Sequence, residues 1–144
     1  MTPERFQRDD PVISVELATR LQEAGLRWRP ASGDRFVIAE RGMDADVFVV
    51  SDLTIDVHQA PTGPLIRFNG TTEWALDSVP QEATVWLPRE DQLRAALGGR
   101  FRRLETIGDG FAVVVESLDG REERHVDVDA ERAYARALLA LLSA

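Results

Sequence analysis

Residues 101–142 read FRRLETIGDGFAVVVESLDGREERHVDVDAERAYARALLALL. Phe101 to Leu104, Phe111 to Val115 and His125 to Val128 are β-rich runs. Gly108-Asp109-Gly110 and Asp119-Gly120 separate them, and both are turn sequences that tolerate positive φ. Strand, turn, strand, turn, strand is an antiparallel meander. Asp129 then offers a side-chain oxygen to cap a helix, whose Ala133, Tyr134, Ala137, Leu138, Leu141 and Leu142 share one broad apolar face. Strands followed by a helix, rather than alternating with helices, predict an α+β fold.

Working outward, the pattern repeats in spirit. Pro88 begins a second helix, with Glu90 and Asp91 in its first turn and Leu93 and Leu97 along its apolar edge. Gly98-Gly99 ends it. Upstream lie more β-rich runs: Phe36-Val37-Ile38, Val47 to Val50, Leu53 to Val57, Leu65 to Phe68, and a short strand around Val85-Trp86. Asn69-Gly70 is a hairpin signal. Near the N-terminus Ser14 caps a helix whose apolar stripe is Leu17, Ala18, Leu21 and Ala24. Gly25 supplies its left-handed end, and Leu26 folds back on Leu21. The expected architecture is an antiparallel sheet with three helices, N-terminal, central and C-terminal, packed mainly on one side. Residues 13–144 form a single domain in this reading, and residues 1–12 a flexible leader.

Composition limits what the chain can do. It has 144 residues, enough to bury a core without staples, and no cysteine, which excludes disulfides, thiolate metal sites and thiol nucleophiles. All 17 basic residues are arginine, the signature of a GC-rich coding sequence; without lysine there is no Schiff-base chemistry. The net charge of −8 opposes binding to nucleic acid, because phosphates call for a basic surface. The acid is spread along both halves of the chain and forms no tail. No apolar run approaches the roughly 20 residues of a membrane span, and the first residues are not a secretory signal. The expected location is the cytoplasm. Phosphate-binding glycine loops, the G-x-S-x-G elbow, the H-E-x-x-H helix and EF-hand spacing are all missing, so we expect no cofactor.

Two groups of residues could carry chemistry. Asp52, Thr54, Asp56 and His58 share one face of a strand by period-two alternation, and His125, Asp127 and Asp129 do so on another. These are the chain's only two histidines. Side by side, such strands would bring His58 and His125 together with Asp56 and Asp127, a set suited to a divalent metal or to general acid–base work. The plainer reading makes them the wet faces of half-buried strands, with Asp129 a helix cap; on that reading no metal is expected. The second group is the stretch from Phe68 to Val79, where Asn69, Thr71, Glu73, Trp74 and Asp77 would form a binding surface anchored by tryptophan. The alternative places Trp74 in the core beside Trp86.

Three segments resemble a family of small actinobacterial proteins with no assigned activity: Gly33 to Ile38, Phe68 to Val79 and Trp86 to Leu93. The similarity runs from about Ile13 to Leu97. Some members of that family are labelled pilus assembly proteins. The genuine pilus protein of that label resembles a P-loop ATPase, and this chain lacks both the phosphate loop and its lysine. The resemblance therefore implies a family and a bacterial origin, and brings no catalytic residue.

Three functions follow as expectations. The first is a non-catalytic interaction or regulatory module that recognises another protein or a small ligand. The second is a small metal-assisted hydrolase built on His58 and His125 with the neighbouring aspartates. The third is an acidic immunity-type protein that neutralises a basic partner. The sequence sets no oligomeric state.

Overall fold

A computed structural model describes residues 13–38, 47–50 and 83–144 with their side chains, and the backbone of residues 4–5, 56–60, 63–67 and 78–80. In chain order the elements are β1 (Glu4–Arg5), α1 (Val15–Glu23), β2 (Arg35–Ile38), β3 (Phe48–Val49), β4 (Asp56–Ala60), β5 (Gly63–Arg67) and β6 (Ser78–Pro80). Then come β7 (Thr84–Leu87), α2 (Glu90–Leu97), a 3-10 turn (Gly98–Arg100), β8 (Phe101–Ile107), β9 (Gly110–Glu116), β10 (Glu122–Asp127) and α3 (Ala130–Leu142). All strand pairs are antiparallel. The fold is α+β. The chain divides into two compact units, one of Met1–Asp10 with Trp28–Leu87, the other of Pro11–Arg27 with Pro88–Ala144.

The first unit holds two sheets, ordered β1-β3-β2-β7 and β4-β5-β6. Its organising side chain is Asp34, which is 2 % exposed. Its Oδ2 accepts from the Trp28 indole Nε1 (2.9 Å) and from the Ala31 backbone N–H (3.0 Å). Its own backbone accepts from Val50 (2.8 Å), which anchors the end of β3. A buried carboxylate needs such donors, since burying it unpartnered costs far more than burying a neutral amide or hydroxyl. Trp28, so fixed, stacks on Trp86 at 6.4 Å and tilts against Phe36 at 5.5 Å. Phe36, Ile38, Phe48 and Val50 complete that core.

The second unit holds the sheet β10-β9-β8 and all three helices. Ser14 Oγ caps α1 by accepting from Leu17 N (3.1 Å). At its other end Leu26 N donates to Leu21 O and Gly25 N to Gln22 O, with Gly25 at φ +113, the paired bonds of a Schellman end. Asp129 caps α3 through Arg132 N (3.1 Å). α3 packs on β9 and β10, and both α1 and α2 pack on α3. Glu131, buried in the first turn of α3, accepts from the Ile13 backbone N–H at 2.9 Å and ties the start of α1 to that helix.

β9 is buried on both faces: Ala112, Val113, Val114 and Val115 are all inaccessible to water. α3 covers one face. On the other, Arg103 and Arg124 sit opposite Val114 on either side, and Glu105 sits opposite Ala112. The Glu105 carboxylate accepts from Arg103 Nε (2.6 Å) on its own strand and from Arg124 Nε (3.2 Å) on β10. Arg103 also reaches Glu122 on β10 at 3.3 Å. Because β9 lies between β8 and β10, two of these pairs cross over it and roof its valine with arginine stems. The hydrogen bonds from Arg103 and then Arg124 hold the Glu105 carboxyl below the usual carboxylate range.

Some boundaries differ from expectation. Pro88 precedes the Arg89 cap and is not the first helical residue; Gln92 Oε1 accepts from Arg89 N (2.9 Å) and closes the helix start instead. β4 extends to Ala60 and β5 begins at Gly63, both beyond the expected run ends at Val57 and Leu65. Leu53 and the Asn69-Gly70 turn lie outside the described residues. Glu4–Arg5, inside the expected leader, pairs with β3.

Gly110 offers a test of this packing. A Cβ there would sit 2.8 Å from the Asp127 carbonyl oxygen, a backbone atom that cannot swing away. Gly110→Ala is expected to cost about 1–3 kcal/mol in a urea melt. Gly99→Ala, whose Cβ meets nothing within 4 Å, is expected to stay within about 0.5 kcal/mol of wild type.

Candidate functional site

The histidine–aspartate set does not assemble as a shared strand face. His58 and Asp56 lie on β4, which pairs with β5, whereas His125 and Asp127 lie on β10, which pairs with β9. The two strands are not neighbours in any sheet, and they belong to different units. Asp52 and Thr54 lie outside the described residues.

On β10 the expected alternation holds: His125 stands opposite Val113 and Asp127 opposite Phe111, on the face covered by α3. Asp127 is engaged there. Its Oδ1 accepts from Arg132 Nε (3.0 Å) and the Asp129 backbone N–H (3.1 Å), and its Oδ2 from Arg136 Nε (2.8 Å). The side chain is 8 % exposed. Burial pushes this carboxyl up, but the bonds from Arg136, the Asp129 N–H and Arg132 outweigh it and hold it below the ordinary range. Asp127 is thus a strut between β10 and the first two turns of α3. His125 Nε2 lies 3.4 Å from Glu123 Oε2 and is otherwise buried without a hydrogen bond. Among the described residues no cluster of three or more His, Cys, Asp or Glu is placed to hold a metal.

Asn69, Thr71, Glu73, Trp74 and Asp77 all lie outside the described residues, within the connection from β5 to β6. Among the described residues Trp86 stacks on Trp28, and its buried indole Nε1 has no hydrogen-bond partner.

A third feature escaped the sequence reading. In the second unit an open groove of about 560 Å³ runs between α2, the C-terminal half of α3 and the end of β9. Leu97, Leu118, Leu138, Leu141 and Leu142 give it an apolar floor, and Arg100 and Glu116 stand at its side. Leu118 is 57 % exposed and Leu142 36 %. The wall is built by arginines: Arg100 Nη1 donates to Ser117 O (2.9 Å) and Glu116 O (3.3 Å), which locks the 3-10 turn to the β9–β10 turn. Arg102 pairs with Glu116 and donates to Gly99 O (2.7 Å). The Ser117–Asp119 hydroxyl–carboxylate bond and the Ser117 N to Arg121 O bond (2.8 Å) set the turn that holds Leu118 outward. The one signal in the sequence was a leucine between Ser117 and Asp119, inside a polar turn.

No protein-family model, curated protein or solved structure matches the chain. Among the described residues no helix is long and apolar enough to cross a membrane.

The strut makes a pH-dependent prediction. A carboxyl held low by its partners stabilises the fold above the unfolded value near pH ~4, and that contribution fades as pH falls through the folded value. Asp127→Ala is expected to lose about 1–3 kcal/mol at pH 7, discounted for the half-exposed guanidinium groups. Paired melts across pH should show the gap between wild type and variant narrowing progressively as the pH is taken down below the unfolded value. A gap that persists there would assign the loss to packing.

Proposed function

We propose that this protein is a non-catalytic, cytoplasmic interaction module, and that it recognises its partner through the leucine groove of the second unit. The observation that carries this reading is the exposure of Leu118 and Leu142 on a concave apolar floor. Solvated leucines gathered in a groove gain free energy only when something apolar covers them, and such patches mark binding surfaces. The partner that fits is a protein segment with two or three apolar side chains in helical or extended array. Arg100, already fixed by two carbonyls, favours a carboxylate at the flank of that segment.

The hydrolase alternative has less support. A metal at Asp127 would have to displace Arg132 and Arg136 from both carboxylate oxygens. Calorimetric titration with zinc is expected to give no saturable heat, and micromolar binding removed by His125→Ala would revive the alternative.

Leu118→Glu tests the groove. It should melt within about 0.5 kcal/mol of wild type, since the residue is on the surface. Quantitative affinity capture from the native host, run in parallel with wild-type and L118E bait, should lose its enriched protein at least tenfold with the variant. Equal recovery by both baits would mean that the groove is not the recognition surface.

A further inference from the structure

β8 is an edge strand whose residues are complementary to themselves. Among the described residues it has one strand neighbour, β9, so alternate backbone N–H and C=O groups from Arg103 to Ile107 point away from the sheet. Arg103, Leu104, Thr106 and Ile107 are exposed. Edges in monomers are commonly blunted by charged side chains, by proline or by a bulge. Here the one irregularity, between Phe101 and Arg103, is confined to the start of the strand and leaves Arg103 to Ile107 regular. The charges on that stretch are of both signs, two residues apart on one face.

From this we propose that two copies of the chain associate through β8, antiparallel about a two-fold axis at Leu104, and form a continuous six-stranded sheet. Symmetry and alternation restrict the register, and the Arg103–Glu105 pairing chooses within it. An axis perpendicular to the sheet keeps like faces together, so it must pass through a residue and not between two. Centred on Arg103, it would set Arg103 against Arg103 of the second copy; centred on Glu105, it would set glutamate against glutamate. Centred on Leu104, it sets Arg103 against Glu105 and Glu105 against Arg103, and like-charge opposition disappears. On the other face Leu104, 38 % exposed in the single chain, meets its own counterpart.

The roof over β9 extends through this seam without being dismantled. Arg103 has five N–H donors and a carboxylate about four acceptor sites, so Glu105 keeps Arg103 and Arg124 while it receives the second copy's guanidinium. The result is a row of alternating charge that runs across both copies, with a leucine pair beneath it. The dimer uses the β8 edge and leaves the leucine groove out of the register.

Sedimentation equilibrium of the full chain at low salt tests the proposal. Wild type should reach twice the 16.1 kDa monomer mass, with a dissociation constant on the order of 10 µM or tighter. Arg103→Glu alone opposes two glutamate pairs, and Glu105→Arg alone opposes two arginine pairs, so each variant should be a monomer. Mixed in equal amounts they restore both opposite-charge pairs and should form a heterodimer. Leu104→Glu leaves the roof intact and places two like charges on the axis, so it should weaken the dimer at least tenfold; it serves if either charge variant loses its circular-dichroism signal. A wild-type monomer up to about 100 µM, single variants that dimerise as wild type does, or L104E dimerising undiminished would each overturn the assignment.

Discussion

The Glu105 carboxylate, shared by Arg103 and Arg124, closes the second unit. A central strand of consecutive Ala-Val-Val-Val has no wet side, and a three-stranded sheet with α3 on one face leaves the other open to water. Helix α3 solves half of that problem by covering one face of β9. The other half is solved by charged side chains laid across the strand, their stems apolar and their ends paired. Strand order follows from the same need: only a middle strand can have flanking residues on both sides to bridge above it. Single ion pairs on a surface contribute little, but here they fix where long aliphatic stems lie.

In the first unit the comparable element is Asp34. One carboxylate orients Trp28, closes the turn from Ala31, and presents its backbone to Val50. The aromatic cluster of Trp28, Phe36, Phe48 and Trp86 is arranged around that anchor. Both units therefore depend on an acid: Asp34 takes partners close to it in sequence, and Glu105 takes one from its own strand and one from across β9.

What could be read from the sequence was local. Ser14, Gly25 and Asp129 act within one turn of their own position, and each holds its expected place. The meander of β8, β9 and β10 was legible for the same reason, since Gly108 and Gly120 adopt the positive φ their turns need. The candidate sites were less legible. Alternation placed His125 and Asp127 on one face, but it could not show that Arg132 and Arg136, on the next element, occupy that carboxylate. The groove depends on Leu118 of a turn meeting Leu138 and Leu142 of a helix some twenty residues further on. No period in the sequence links those positions. Similarly, the ends of β4 and β5 at Ala60 and Gly63 are set by the pairing of the two strands, which no local pattern displays.

The distribution of aromatic residues has a practical side. All three tryptophans, Trp28, Trp74 and Trp86, fall in the first unit, and the chain's one tyrosine, Tyr134, falls in the second. Burial, and then the nearby Glu90 charge, push the Tyr134 phenol up, so it stays neutral further into alkali than a free tyrosine would. Indole emission and phenol absorbance thus form two separate optical channels, one for each unit. Followed together through a denaturant titration, they resolve whether the halves of this chain unfold as a single cooperative body or one after the other, without any label being attached.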